Sequence, residues 1–449
     1  MDTSPPKTSR LQDLRTALED GRMRPVQRML DSLHPSEIAR LLESLPVGER
    51  RLVWELIEPD VEGDILVEVA EEVRDGLIEV MDEAELVAAA EGMELDDLAD
   101  LLIDLPETVT RQVLRTLDQA DRERLTTVLA YPEDSAGGLM NPDTISVRPN
   151  VTLDVVLRYL RLHGGMADGT DSVFVVDRDE RYIGLLRLSR LLTSDPECNV
   201  ADIMDTDVAA IPVDMHDEEV ARLFEDRDLL SAGVVEGDGR LIGRITVDDV
   251  VDVIREEAEH SIMSAAGLDE EDDMFAPVLT SARRRAIWLG VNLMTAFLAA
   301  YVVDLFQTAI DKVVLLAVLM PVVPSMGGVA GTQSLTIITR AMALGQIEKS
   351  NALSILKKEF SVGVINGIGW ALVVAAVTYV WFGSAEIGAV VAAALMINLL
   401  VAAAAGYSLP LLLKRLHIDP AIAGGVVLTT ITDVVGYGAF LGLGALVLL

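Results

Sequence analysis

The chain has 449 residues with 72 acidic against 36 basic side chains, and the imbalance is local. Residues 281–449 carry 10 Lys and Arg against 7 Asp and Glu, which leaves 26 against 65, a net of −39, for residues 1–280. A surface this acidic repels nucleic acid and anionic headgroups and attracts cations. Acidic composition also arises from salt adaptation, so charge alone does not specify a cation site. The single cysteine, Cys198, excludes an intramolecular disulfide and fits a reducing cytosol. Five dispersed histidines without ligand spacing argue against a soft transition-metal centre. The start, Met1–Arg10, is polar and lacks the apolar run of a signal peptide.

Residues 11–130 show apolar side chains at three- and four-residue spacing, which predicts helices throughout. An internal repeat lies within them: the run from Leu33 to Pro46 returns from Met93 to Pro106. Each copy predicts a short helix stopped by Leu-Pro and then a second helix, Arg50–Ile57 and Thr108–Leu117. Helical pairs of this kind stack into superhelical scaffolds.

A second repeat begins at Met140, where Leu139-Met140-Asn141-Pro142 and Val147 correspond to Ile203-Met204-Asp205-Thr206 and Ile211. The first copy predicts a helix at Thr152–Leu162, strands at Val173–Asp177 and Ile183–Leu186, and a helix at Leu188–Leu192. The second predicts Asp217–Asp226, Gly233–Val235, Leu241–Ile245 and Val247–Arg255 in the same roles. This duplicated βαββα unit resembles a pair of CBS (cystathionine-β-synthase-type) modules. The stretch Gly243 to Asp249 matches the Gly-x-x-Thr-x-x-Asp pattern by which such modules hold adenosine, with Thr246 and Asp249 on the ribose. The first copy, Gly184 to Arg190, departs from that pattern. An acidic helix then runs on through Asp249, Asp252, Glu256, Glu257 and Glu259 towards Met274, with a break expected near Gly267.

Five apolar segments follow: Ala286–Phe306, Val313–Ile338, Phe360–Phe382, Ile387–Leu413 and Ala421–Leu449. Each is long enough to cross a bilayer, which takes ~20 residues. Arg283, Arg284 and Arg285, then Arg340, Lys349, Lys357 and Lys358, then Lys414 and Arg415 fall on one side, and only Lys312 on the other. The positive-inside rule therefore puts the N-terminus in the cytoplasm and the C-terminus outside. The second segment is interrupted, since Pro321, Pro324, Gly327, Gly328 and Gly331 fall within eleven residues. Freed backbone groups at that depth are tolerated only inside protein or along water. The fifth carries Asp433 near its middle, with no Lys or Arg after Arg415. An unpaired carboxylate there costs at least ~2.5–3.5 kcal/mol and should face a bundle interior or an aqueous cavity. At helical spacing Gly425, Thr429, Asp433 and Gly436 share a face.

The helical repeat, the junction Tyr131 to Met140, the CBS pair, the acidic connector and five spans together resemble the MgtE family of magnesium channels. Two membrane motifs carry the resemblance further, Met326-Gly327-Gly328-Val329-Ala330-Gly331-Thr332-Gln333-Ser334, and Asp419-Pro420-Ala421 with Thr432-Asp433. The expected fold is a multidomain membrane protein. It comprises an all-α superhelical N-terminal domain (1–130), an α/β CBS pair (131–253), a long connecting or plug helix (254–280) and a five-helix transmembrane domain (281–449).

The resemblance implies a homodimer in the cytoplasmic (inner) membrane, its pore between second and fifth spans, with Mg²⁺ as substrate and regulator. Pore residues would be Asp433, Thr429, Gly436, Gly328 and Gly331. Regulatory Mg²⁺ would bind Asp96, Asp100, Glu218, Asp228, Asp249, Asp252, Glu257 and Glu259 and shut the pore, and ATP or another adenine nucleotide would occupy the CBS pair. Three departures stand out: Val329 where many relatives have Asn, Gly425 where some have Asn, and His260 after Glu259 where acid is expected. The first two leave room for a broader divalent transporter that also passes Co²⁺. A proton-coupled secondary transporter is the other alternative. An enzyme is disfavoured, because the chain has no Walker motif, no GxSxG elbow and no histidine cluster.

Overall fold

The computed structural model describes residues 7–449 except 92, 164–165, 167–168, 209, 266–267, 269–273, 348–349 and 417. The expectations for Gly267, Lys349 and the first six residues lie outside the described residues. The chain divides into two compact units: Met1–Glu259 with Glu271–Ala276, and His260–Glu270 with Pro277–Leu449.

The first unit opens with helices α1 (Lys7–Glu19), α2 (Met23–Leu30), α3 (Pro35–Glu43), α4 (Val47–Trp54), α5 (Pro59–Glu68), α6 (Glu71–Ile78), α7 (Glu83–Ala90), α8 (Leu95–Asp104), α9 (Glu107–Thr116) and α10 (Gln119–Val128). The two sequence repeats are α3–α4 and α8–α9. Their second helices begin earlier than expected, at Val47 and Glu107, because Pro46 and Pro106 serve directly as N-caps. The residue before proline is driven out of the helical region, and the fixed proline φ suits a helix start. A recurring tie closes the helix ends. Arg50, 3% exposed, donates from Nε to Leu42 O (3.1 Å) and from Nη2 to Leu45 O (3.2 Å). Arg122 spans the same intervals to Leu114 O and Leu117 O. Each guanidinium satisfies carbonyls that the preceding helix leaves without an intrahelical partner.

Next come β1 (Ser146–Val147), α11 (Leu153–His163), β2 (Ser172–Val176), β3 (Tyr182–Arg187), α12 (Leu188–Thr193) and α13 (Val200–Ile203). Then follow β4 (Ile211–Pro212), α14 (Asp217–Arg227), β5 (Ser231–Val235), β6 (Leu241–Thr246) and α15 (Val247–Ala265). They form two three-stranded sheets, β1-β2-β3 and β4-β5-β6, each with a parallel first pair and an antiparallel second pair. The first module has its own core of Leu153, Val173, Val175 and Leu186. The second does not: Met140, Ile211, Phe224 and Ile245 belong to the core that runs through the helical repeat.

The second unit holds α16 (Val278–Asp304), α17 (Gln307–Lys312), α18 (Leu315–Leu319), α19 (Val322–Ala343), α20 (Ala352–Phe382), α21 (Ala385–Arg415) and α22 (Pro420–Leu448). Five helical stretches are long and apolar enough to cross a membrane, the second formed by α18 and α19 together. Its interruption is narrower than expected. The helix breaks only between Leu319 and Val322 and then runs unbroken through Pro324, Gly327, Gly328 and Gly331. Both prolines sit at the start of α19, where a missing N–H removes no intrahelical bond. Gly327 and Gly331 serve packing, whereas a Cβ on Gly328 would meet only Thr432 Oγ1 at 3.9 Å. A Cβ on Gly406 of α21 would lie 2.8 Å from Gly331 O and from Ser334 Cβ, so α19 and α21 meet at backbone distance.

Gly406→Ala should therefore lower the detergent-solubilised melting temperature, by a destabilisation of ~1–3 kcal/mol. Gly369→Ala, where an added methyl meets nothing within 4 Å inside α20, should leave it unchanged or slightly raised.

Candidate functional site

The membrane site is built on α22, against α19 and α21. Asp433 is half-buried and makes no hydrogen bond or ion pair among the described residues. One turn earlier Thr429 is exposed and bends its Oγ1 back to Gly425 O at 2.9 Å, and Gly425 itself borders open space. Thr432 is fully buried, and its Oγ1 lies 3.9 Å from where a Cβ on Gly328 would stand.

The stripe expected from helical spacing thus divides. Asp433, Thr429 and Gly425 look outward from the bundle or along its edge, whereas Gly436 is buried against Pro324 and Asn398. Gly331 likewise meets the Leu428 side chain at about 3.0 Å and is a helix contact. Asn398, which sequence reasoning passed over inside an apolar run, is 0% exposed and donates from Nδ2 to Val323 O at 2.9 Å. Its Oδ1 is buried without a hydrogen-bond partner.

In the same unit, His260 Nε2 lies 3.1 Å from Asp419 Oδ2 at the foot of α22, with Ser264 Oγ 3.3 Å from the ring. A direct side-chain pair stands where acid was expected on the connector.

The acidic site belongs to the first unit, where α8 meets the start of α15. Burial pushes the Asp96 carboxyl up to about 7, with Asp97 and Glu94 adding repulsion. Asp97 is also raised to about 7 by burial, then by Glu94, Asp100, Asp249 and Asp64. Asp100, although exposed on one side, and Asp249 are likewise driven by desolvation to about 7, each further raised by Asp96. Asp252 is raised by burial, with Arg255 opposing.

Only Asp96, Asp100, Asp249 and Asp252 of this group were expected. Asp97, Glu94 and Asp64 were missed, although Asp97 follows Asp96 directly in the repeat. Asn141 stitches the cluster by donating from Nδ2 to Glu94 Oε2 (2.7 Å) and Asp96 Oδ1 (3.1 Å). Buried Arg244 is 3.9 Å from Glu94. Among the described residues no three acids or histidines stand close enough to hold a metal ion as they are. What the arrangement supplies is crowded negative charge that a small hydrated cation would relieve, since Mg²⁺ keeps several of its waters and takes few carboxylates.

The remaining expected residues lie apart from this cluster. Glu218 starts α14, whereas Asp228 caps its other end in the left-handed region at φ 50°, so the helix separates them by roughly 15 Å. Glu257 and Glu259 follow on α15, where Glu259 is exposed. Thr246 and Asp249 engage each other: Thr246 N and Oγ1 donate to Asp249 Oδ2 at 2.8 and 2.9 Å, capping α15. A ribose would have to compete with that cap.

Comparison with known families and proteins gives a consistent result. Residues 320–443 match the family described as "Divalent cation transporter", residues 33–134 the "MgtE intracellular N domain", and residues 136–197 and 200–256 the CBS domain. The chain is 32% identical over 442 residues to "Magnesium transporter MgtE" of Thermus thermophilus, covering 97% of this chain and 98% of that one. The protein of the same name from Bacillus subtilis is 28% identical over 426 residues, 95% of this chain and 94% of its own. A solved structure, "the cytosolic domain of the Mg2+ channel MgtE in complex with ATP", aligns at TM-score 0.49 and 34% identity, over 54% of this chain and 99% of its own.

Folded values of about 7 against an ordinary 3.8 mean that the folded cluster keeps protons which the unfolded chain has released. Their contribution to stability is therefore fully present below 3.8 and lost as pH rises through about 7. In chelator, the melting temperature of the chain should fall between about pH 5 and about pH 8, and Asp97→Asn or Asp249→Asn should flatten that slope. Added Mg²⁺ should raise it more at the alkaline end, because cation and proton compete; melting followed by circular dichroism at both pH values checks this.

Proposed function

The chain belongs to the MgtE family of divalent-cation transporters, and we propose that it carries Mg²⁺ into the cell through a path beside Asp433 that closes when cytosolic Mg²⁺ binds the acidic half. The observation that carries this reading is a half-buried carboxylate without a protein partner among the described residues, on the span that packs against the proline-broken second span. An acid in that position faces a bundle interior or a water-filled cavity, where water or a cation satisfies it. A hydrated Mg²⁺ does both, since it sheds its waters reluctantly and prefers oxygen.

Regulation follows from the cluster on α8 and α15. Its carboxylates repel one another when ionised, so a divalent cation binds the compact arrangement better than the separated one. It shifts the balance by that difference in affinity and no more. The connecting helix α15 carries Asp249 and Asp252 at one end and the His260 contact with Asp419 at the other.

A homodimer completes the path in this reading. Thr429 is exposed, Gly425 borders open space and Asp433 is half-buried beside them, and a second copy would supply the facing wall. The C-terminus then lies outside the cytoplasmic membrane and the acidic half inside, where Glu218, Asp228, Glu257 and Glu259 add further Mg²⁺ ligands. Val329 is 59% exposed, and an apolar side chain there weakens discrimination, so Co²⁺ is expected to pass as well. An adenine nucleotide at Thr246 and Asp249 would compete for the same carboxylate that the acidic cluster uses.

In proteoliposomes, Mg²⁺ uptake should fall at least about tenfold in Asp433→Ala, the loss of one charged interaction with the ion. Raising Mg²⁺ on the cytosolic face should stop uptake by the unmodified chain, and Asp97→Asn with Asp249→Asn should need more Mg²⁺ to stop. Uptake that ignores Asp433 overturns the path, uptake that ignores cytosolic Mg²⁺ overturns the regulation, and uptake driven by a pH gradient favours proton coupling.

A further inference from the structure

Glu359 is an intramembrane acid that the path beside Asp433 does not use. It lies in α20, near the cytoplasmic lysines Lys357 and Lys358, and only 4% of it is exposed. Its Oε2 accepts a hydrogen bond from Ser334 Oγ at 2.8 Å, and Oε1 lies 3.6 Å from Lys358 Nζ. Oε2 is thus committed to α19, while Oε1 has only a loose ion pair with its exposed neighbour. Ser334 is itself buried, on the face of α19 that also carries Gly327, Gly331 and Ile338. The other face, with Val329, Thr332, Gln333 and Thr336, is exposed. Helical hydroxyls ordinarily turn back to their own backbone, as Thr332 does to Gly328 O at 2.9 Å. Ser334 reaches across to a neighbouring helix instead.

We infer that Glu359 is a positioning residue, which fixes the rotation of the second span about its axis through Ser334 and so decides which side chains of α19 border the ion path. Burying a carboxyl is costly unless it is hydrogen-bonded, and a single such bond between two spans resists axial rotation where apolar contacts alone permit sliding. Gly406, packed on the α19 backbone beside Ser334, provides the fulcrum on the opposite helix. The inference rests on the proposed path between the second and fifth spans.

The test uses full-length chain in proteoliposomes: unmodified, Glu359→Gln, Glu359→Ala, Ser334→Ala and the double alanine variant. Glu359→Gln keeps the acceptor and should transport Mg²⁺ within about twofold of the unmodified chain. Glu359→Ala and Ser334→Ala should each lower the maximal rate about tenfold, with the half-saturating Mg²⁺ concentration unchanged, and the double variant should be no worse than either. A Glu359→Gln variant as impaired as Glu359→Ala, or a raised half-saturating concentration, would make the carboxylate an ion ligand and overturn the inference. Additive losses would overturn it too. Should Glu359→Ala fail to fold, Ser334→Ala and Glu359→Gln still decide between the two. If the unmodified chain moves no Mg²⁺, it is the proposed function that fails, and non-additive melting temperatures across the same set then decide the contact by itself.

Discussion

Between the helical repeat and the second CBS module, apolar adhesion and charge repulsion act on the same seam. Met140, Ile211 and Ile245 are buried in one core with the leucines of α8, which holds the two parts together. On the polar side of that seam burial, and after it mutual repulsion, raises the Asp96, Asp97, Asp100 and Asp249 carboxyls to about 7. Neutralising those carboxyls removes a repulsion that opposes the apolar contact.

The membrane unit is governed by closeness. Alpha-helices in lipid gain little from hiding apolar surface, so they associate through backbone approach and the occasional polar tie. Gly327 faces Asn398, Gly436 faces Pro324, and Gly406 faces the carbonyl of Gly331. The second span is consequently fitted to its neighbours along most of its length. Polar ties at Asn398 with Val323 and at Glu359 with Ser334 pin it from two different helices. Asp433, in contrast to Glu359, has no such tie among the described residues.

Much of this was legible in the sequence, because periodicity and punctuation are local. The Leu-Pro stops, the duplicated βαββα unit and the five apolar runs each announce an element within a few residues of where it stands. The interruption of the second span was overdrawn, since proline and glycine signal a break in the same way whether they start a helix or pack against one. Asp96, Asp100 and Asp249 could be named from resemblance, but Asp97, Glu94 and Asn141 join them only through a contact between residues far apart in the chain. Asn398 and Glu359 gave one signal, a polar side chain in or beside an apolar run, which spacing alone does not convert into a partner.

The unequal sharing of cores has a thermodynamic consequence. The helical repeat and the second CBS module have one continuous apolar interior, whereas the first module has its own. Heating or denaturant should therefore remove the repeat and the second module together, while the first module, which meets the second through Phe174 at Gly233, strand-end contacts and the Ser172–Ser231 hydroxyl pair, has a core of its own to lose. Amide hydrogens of β2 and β3 then exchange on a different clock from those of β5 and β6, although the two sheets are near copies in sequence and in topology.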